Sequence, residues 1–165
     1  MDDSKKLISP LIPYQQFVNY KLEQKGERVT KPPVDADGYT INAQDSANWW
    51  SFDEVLEVNE QIGFVLTDED PFLFIDLDHV LKNGKLCDWA EELIAVLPAT
   101  YIEISPSGDG LHILYKLNDT PEIPSNKQVF DDGTALEIYF EKRYFTITGN
   151  VYNSTPIATV NSGDL

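Results

Sequence analysis

Phe72-Leu73-Phe74-Ile75-Asp76-Leu77-Asp78 is the stretch from which the rest of the chain is read. A short apolar run with aromatic and β-branched members, bounded by turn residues, is a strand pattern. Side chains alternate along a strand, so Asp76 and Asp78 project from one face. Residues 63–67 form a strand before it, with Asp68-Glu69-Asp70-Pro71 as the turn between the two. Upstream, Ser51-Phe52-Asp53-Glu54 is a capping box that opens a helix. Phe52, Val55 and Leu56 are its buried stripe, and Gly63 lies beyond its end. Downstream, Leu86, Trp89, Ala90, Leu93 and Leu97 recur at helical spacing, which predicts a capped helix from about Lys85 to Pro98. Residues 101–105 and 111–117 are a strand pair around Pro106-Ser107-Gly108-Asp109-Gly110, and residues 135–140 and 143–148 a final hairpin ending at Gly149. Further out, Phe17, Tyr20 and Leu22 place a first helix in residues 14–24. Residues 31–48 read as a long Pro/Asp/Asn/Gly loop, and residues 151–165 as a tail with little pattern. Strands in runs with helices between them predict an α+β fold, a mixed or antiparallel sheet with flanking helices.

Composition limits what such a domain does. The 165 residues carry 12 Lys+Arg against 28 Asp+Glu, a formal net charge of −16, which argues against a broadly basic nucleic-acid coat protein. With 42% hydrophobic and 12% aromatic residues, the chain has a core and is not disordered. The single Cys87 excludes a disulfide framework and a Cys-based zinc finger. No apolar run reaches membrane-spanning length and no signal peptide opens the chain, so the expectation is a single cytoplasmic domain, 1–165, without a membrane partner.

Three motifs carry chemistry. Two carboxylates side by side at a strand's end repel, and a hard cation such as Mg²⁺ removes that penalty; a strand running into an acidic turn is the alternative. In Ser105-Pro106-Ser107-Gly108-Asp109-Gly110-Leu111-His112, two glycines allow loop amides to converge as an anion nest, with Ser107 as a hydroxyl donor and His112 at the next strand. An ordinary Ser/Gly hairpin with a packed histidine is the other reading. In Leu136-Glu137-Ile138-Tyr139-Phe140, a carboxylate inside an apolar strand needs a partner, either a salt bridge or a metal shared with Asp76 and Asp78.

In this order, Asp-x-Asp, then Ser-x-Ser-Gly-x-Gly-x-His, then a strand Glu followed by Arg143-Tyr144-Phe145-Thr146-Ile147-Thr148-Gly149, the chain resembles the primase-polymerase branch of the archaeo-eukaryotic primase superfamily. The likeness is to the amino-terminal domains of phage and plasmid replication proteins. Lys31-Pro32, Trp50 to Glu54 and Ile62-Gly63-Phe64-Val65 extend it upstream. The resemblance implies an RRM-like catalytic core with a small N-terminal α/β part, and Asp76, Asp78 and Glu137 as catalytic ligands of two Mg²⁺ or Mn²⁺ ions. It implies a nucleotide site built from Ser105, Ser107, Gly108, Gly110 and His112, and it brings Arg143 to the phosphates. Strand parity opposes that last placement: a two-residue turn at Glu141-Lys142 puts Arg143 on the side away from Glu137, whereas a bulge or three-residue turn reverses it. Tyr139 shares a face with Glu137, either packing or lying under a bound sugar, and Lys31 is either solvated or reaches triphosphate or template. His79 points away from Asp78 and is read as structural or rim.

The function so implied is template-directed joining of nucleoside triphosphates to a primer or starting nucleotide on a DNA template in phage or plasmid replication. The alternative is a non-catalytic module that binds nucleotide or single-stranded nucleic acid. The family often joins this domain to a helicase. No Walker A loop is present, which leaves a stand-alone protein or an excised domain; the patternless tail, 151–165, favours the N-terminal part of a larger replication protein.

Overall fold

The computed structural model describes residues 2–121 and 126–165. After a helical turn, α1 (Asp2–Lys5), come four strands, β1 (Phe17–Tyr20), β2 (Glu23–Lys25), β3 (Arg28–Thr30) and β4 (Pro33–Val34). Helix α2 (Phe52–Val58) precedes β5 (Ile62–Leu66), β6 (Phe72–Asp78), β7 (Leu81–Lys82) and β8 (Lys85–Leu86). Helix α3 (Asp88–Val96) leads to β9 (Tyr101–Ile104), β10 (Leu111–Leu117), β11 (Asn126–Val129) and β12 (Ala135–Tyr139). The last strands are β13 (Arg143–Ile147), β14 (Val151–Ser154) and β15 (Ala158–Val160), followed by a 3₁₀ turn at Ser162–Asp164.

The strands form two main sheets. The larger has the order β11-β12-β6-β10-β9-β14, with β15 parallel to the far half of β10 and every other pairing antiparallel. The smaller is β13-β5-β1-β4. Alternation along β6 sorts its residues: Leu73, Ile75 and Leu77 pack with Ala90, Trp89, Leu93 and Ile94 of α3. Phe72 and Phe74 face the other way, into a core shared with Phe17, Phe64 and Phe145 of the smaller sheet. Asp76 and Asp78 continue that second face. The site therefore begins where the core between the sheets ends.

The α+β class and a mostly antiparallel sheet are as expected, and Ser51 and Glu54 form the reciprocal capping box. Several elements differ. Residues 14–24 are not a helix. Phe17–Tyr20 is a fully buried strand held between β5 and β4, so it lacks the in/out alternation that separates strand from helix, and its buried Asn19 is satisfied by donating to the Val55 and Gln61 carbonyls. Helix α3 starts at Asp88, not Lys85, and the side chain of its N-cap Cys87 makes no capping bond. Lys85 and Leu86 instead pair with Lys82 and Leu81 around Asn83-Gly84, both with positive φ (54° and 76°), the turn that Asn-Gly favours. Neither 63–67 with 72–78 nor 135–140 with 143–148 is a hairpin. In each case the chain crosses from one main sheet to the other, and β13 pairs with β5. The N-terminal strands are thus completed by a C-terminal one and do not form a separate part. The tail is also structured, since β14 and β15 extend the larger sheet.

Candidate active site

The register of the larger sheet lines up four side chains in one row. Glu137 on β12 is opposite Asp76 on β6, Asp76 is opposite His112 on β10, and His112 is opposite Glu103 on β9. Facing positions in adjacent strands share a face, so the row lies on the side that carries Phe74. Phe74 supports it from below: its ring is 5.0 Å from His112, 4.9 Å from Tyr139 and stacked at 4.3 Å on Phe145.

Glu103 is completely buried and fully used. Its Oε2 accepts from His112 Nδ1 and from the Thr148 amide, both at 2.9 Å, and its Oε1 accepts from the Tyr101 hydroxyl at 2.8 Å. His112 is held with Nε2 towards Asp76, 3.8 Å from Oδ1. Burial disfavours the imidazolium, but the hydrogen bond and charge of Glu103, with the charge of Asp76, outweigh it and raise the His112 pKa. Asp76 is pushed up to about 6, chiefly by burial; His112 opposes the shift, and Asp78 and Glu137 add to it. Its Oδ1 is buried without a hydrogen-bond partner. A buried carboxylate oxygen in that condition is costly in the absence of a cation or donor.

Glu137 is committed elsewhere. Arg143 Nη2 lies 2.8 Å from its Oε1, with the guanidinium 4.7 Å above the Tyr139 ring. Arg143 therefore does reach the carboxylate side. The parity objection fails because β12 and β13 belong to different sheets, with Lys142 at φ 56° turning the chain between them. Because of this pairing Asp76, Asp78 and Glu137, though on one face, are not a ready-made ligand shell: among the described residues no three His, Cys, Asp or Glu side chains are disposed to hold a metal. The donor set still suits a hard divalent ion, with the orphan Oδ1 of Asp76 beside a second carboxylate.

The loop after β9 is tighter than an open nest. The Gly110 amide donates to Ser105 Oγ at 3.1 Å and the Gly108 amide to the Ser105 carbonyl at 3.0 Å, so both N–H groups are used within the loop. Ser107 Oγ donates to Asp109 at 2.6 Å, and the Asp109 carboxylate also meets exposed His79 at 2.7 Å. These bonds overcome burial and hold Asp109 below the usual carboxylate range. His79 is a rim residue that braces the loop. Glycine is required at 110, where a Cβ would stand 2.7 Å from the Leu77 carbonyl.

These residues line one cleft of about 390 Å³: Asp76, Asp78, Ser105, Ser107, His112, Tyr139 and Arg143, with Arg28 to Lys31 completing the wall. The motifs do not include Glu103, buried behind His112, or Arg28 in the cleft wall. Glu103 sits between Ile102 and Ile104, the same pattern that singled out Glu137, and was legible by the same rule. Arg28 carries no local signal, because it enters through a hairpin whose docking is tertiary.

Fold and cleft define a mixed α+β domain that gathers acidic, serine and histidine side chains over one sheet. No family model matches the chain. Over 154 residues, 88% of this chain, it is 43% identical to a protein described as DNA primase-polymerase from Nitratiruptor phage NrS-1. The chain is a homologue of that phage enzyme and spans 21% of its length. The likeness supports reading this stretch as a primase-polymerase domain. No helix among the described residues is long and apolar enough to cross a membrane.

Proposed function

We propose that the chain is the nucleotidyl-transfer domain of a DNA primase-polymerase, joining nucleoside triphosphates to a primer or starting nucleotide in phage or plasmid replication, on an RRM-like core of the archaeo-eukaryotic primase type. The observation that carries this is the buried Oδ1 of Asp76, which accepts no hydrogen bond and has only the His112 ring 3.8 Å away, beside Asp78 in a cleft that also holds His112 and Arg143. Asp76 and Asp78 would hold Mg²⁺ or Mn²⁺, and Glu137 would join them on release of Arg143. Two such ions, when bound, lower the pKa of the attacking 3′-hydroxyl and offset charge on the α-phosphate. His112, oriented by Glu103, positions the triphosphate through Nε2, with Ser107 turning from Asp109 to donate. Arg143 exchanges Glu137 for a phosphate, and its planar fork suits either partner. Tyr139 supports the guanidinium and the nucleotide sugar, and Lys31, whose charge acts on Asp76, stands on the triphosphate or template side.

The Glu137–Arg143 pair favours one other reading, a module that binds nucleotide without turnover. Asp76→Ala with Asp78→Ala decides between them. The double variant is expected to fold, to bind no Mn²⁺ in a paramagnetic-resonance titration in which the parent is expected to bind it, and to lose templated incorporation entirely. Incorporation that survives the double change removes the proposal, and Mn²⁺ binding without incorporation in the parent leaves the binding module.

A further inference from the structure

Cations are scarce in this chain, and their placement is uneven. Of its two arginines, Arg28 and Arg143, both line the carboxylate cleft, where Lys31 joins them. Arg28 belongs to the β2–β3 hairpin, where it stands directly opposite Lys25. The β7–β8 hairpin repeats the arrangement, with Lys82 directly opposite Lys85. Like charges facing each other across a strand pair are destabilising, and a chain with 28 acidic residues has no shortage of counter-charges. Lys25 has Glu23 at 3.7 Å, but among the described residues Arg28, Lys31, Lys82 and Lys85 form no ion pair. All four hairpin cations are exposed.

Lys82 and Lys85 line a second cavity, of about 700 Å³, with His79, Asp109 and Asp132. It shares no lining residue with the carboxylate cleft, yet the Ser105–Gly110 loop borders both, through Ser105 and Ser107 on one side and Asp109 on the other. One triphosphate occupies one cavity. An anion that meets cations in both must carry charge at intervals along its length, as a sugar-phosphate backbone does.

We propose that the β2–β3 and β7–β8 hairpins together grip the phosphodiester backbone of a nucleic-acid strand lying across the site, an inference that rests on the nucleotidyl-transfer reading. Arg28 holds the strand at the carboxylate cleft, and Lys82 with Lys85 hold it past the Ser/Gly loop. The hairpins belong to neither main sheet, so their charge pairs stabilise nothing within the fold and are relieved by the polyanion.

The test is a salt titration of a single-stranded oligothymidylate, followed by fluorescence anisotropy, for the parent, Arg28→Ala, Lys82→Ala with Lys85→Ala, and Lys6→Ala, whose lysine lines neither cavity. Each phosphate contact contributes ~0.7 to the slope of log affinity on log salt for a single strand. Arg28→Ala is expected to lower the slope by about 0.7 and the double lysine change by about 1.4. Lys6→Ala should match the parent, and nucleoside triphosphate affinity should be unchanged in Lys6→Ala and in the double lysine variant. The variants should melt at or above the parent temperature, which separates lost contacts from lost folding. An unchanged slope in either hairpin variant overturns the clamp. So does a loss of triphosphate affinity in Arg28→Ala with oligonucleotide binding intact, which would assign Arg28 to the nucleotide tail. A parent that binds the oligonucleotide but never incorporates nucleotide removes the nucleotidyl-transfer reading, while the slopes still decide the clamp.

Discussion

Removing the charge of Asp76 should stabilise the protein at neutral pH. The folded pKa is raised from 3.8 to about 6, so the protonated form is favoured in the fold. Its contribution is complete below the unfolded value and is lost as pH rises through about 6. Asp76→Asn avoids that loss and should raise the unfolding free energy at pH 7.5 by on the order of 3 kcal/mol, shrinking to about half of that at pH 5. Urea unfolding with divalent ions chelated measures it, and an equal gain at both pH values would mean that the carboxylate is not destabilised by burial. Glu103 is the contrasting carboxylate, more deeply buried yet with each oxygen accepting a hydrogen bond from a neutral or cationic donor. The difference marks Asp76 as the group that has kept a position open for something outside the chain.

The Ser105–Gly110 loop shows how an element turns composition into geometry. Ser105 closes it by binding both glycine amides, and the close approach of Gly110 to the β6 backbone leaves no room for a side chain. Gly110→Ala would place a Cβ 2.7 Å from the Leu77 carbonyl and 2.9 Å from Ser105 Oγ. Since backbone cannot yield cheaply, the expected cost is about 1–3 kcal/mol. The larger consequence is displacement of His112, two residues on, so nucleotide affinity should fall more than stability alone accounts for. Chemical denaturation and triphosphate titration of the same variant check both. A variant that loses stability but keeps full nucleotide affinity would uncouple the loop from the site.

Across the whole molecule, the two main sheets share one core, and β13 joins the N-terminal strands only after the chain has built β6, β10 and β12. Phe74 of the larger sheet, stacked on Phe145 of the smaller, is central to that junction. Phe74→Ala should cost about 3–5 kcal/mol and move one cooperative transition to lower temperature. Two resolved transitions in calorimetry would mean that the sheets are separate folding units. The same interleaving explains the placement of the site, since the carboxylates lie where β6 runs out from between the sheets.

Local chemistry determined a good deal from the sequence alone. The β6 and β10 strands, the capping box at Ser51 and the shared face of Asp76 and Asp78 follow from side-chain alternation and nearest-neighbour hydrogen bonding, which act over a few residues. Glu103 was within reach of the rule that found Glu137. What only the tertiary structure decided depends on which strand pairs with which. The burial of Phe17–Tyr20 as a strand, the parting of β12 from β13 that brings Arg143 to Glu137, and the entry of Arg28 into the cleft each require a partner distant in the chain. Strand pairing draws its hydrogen bonds and packing from such partners, so a segment's own residues do not specify its neighbours.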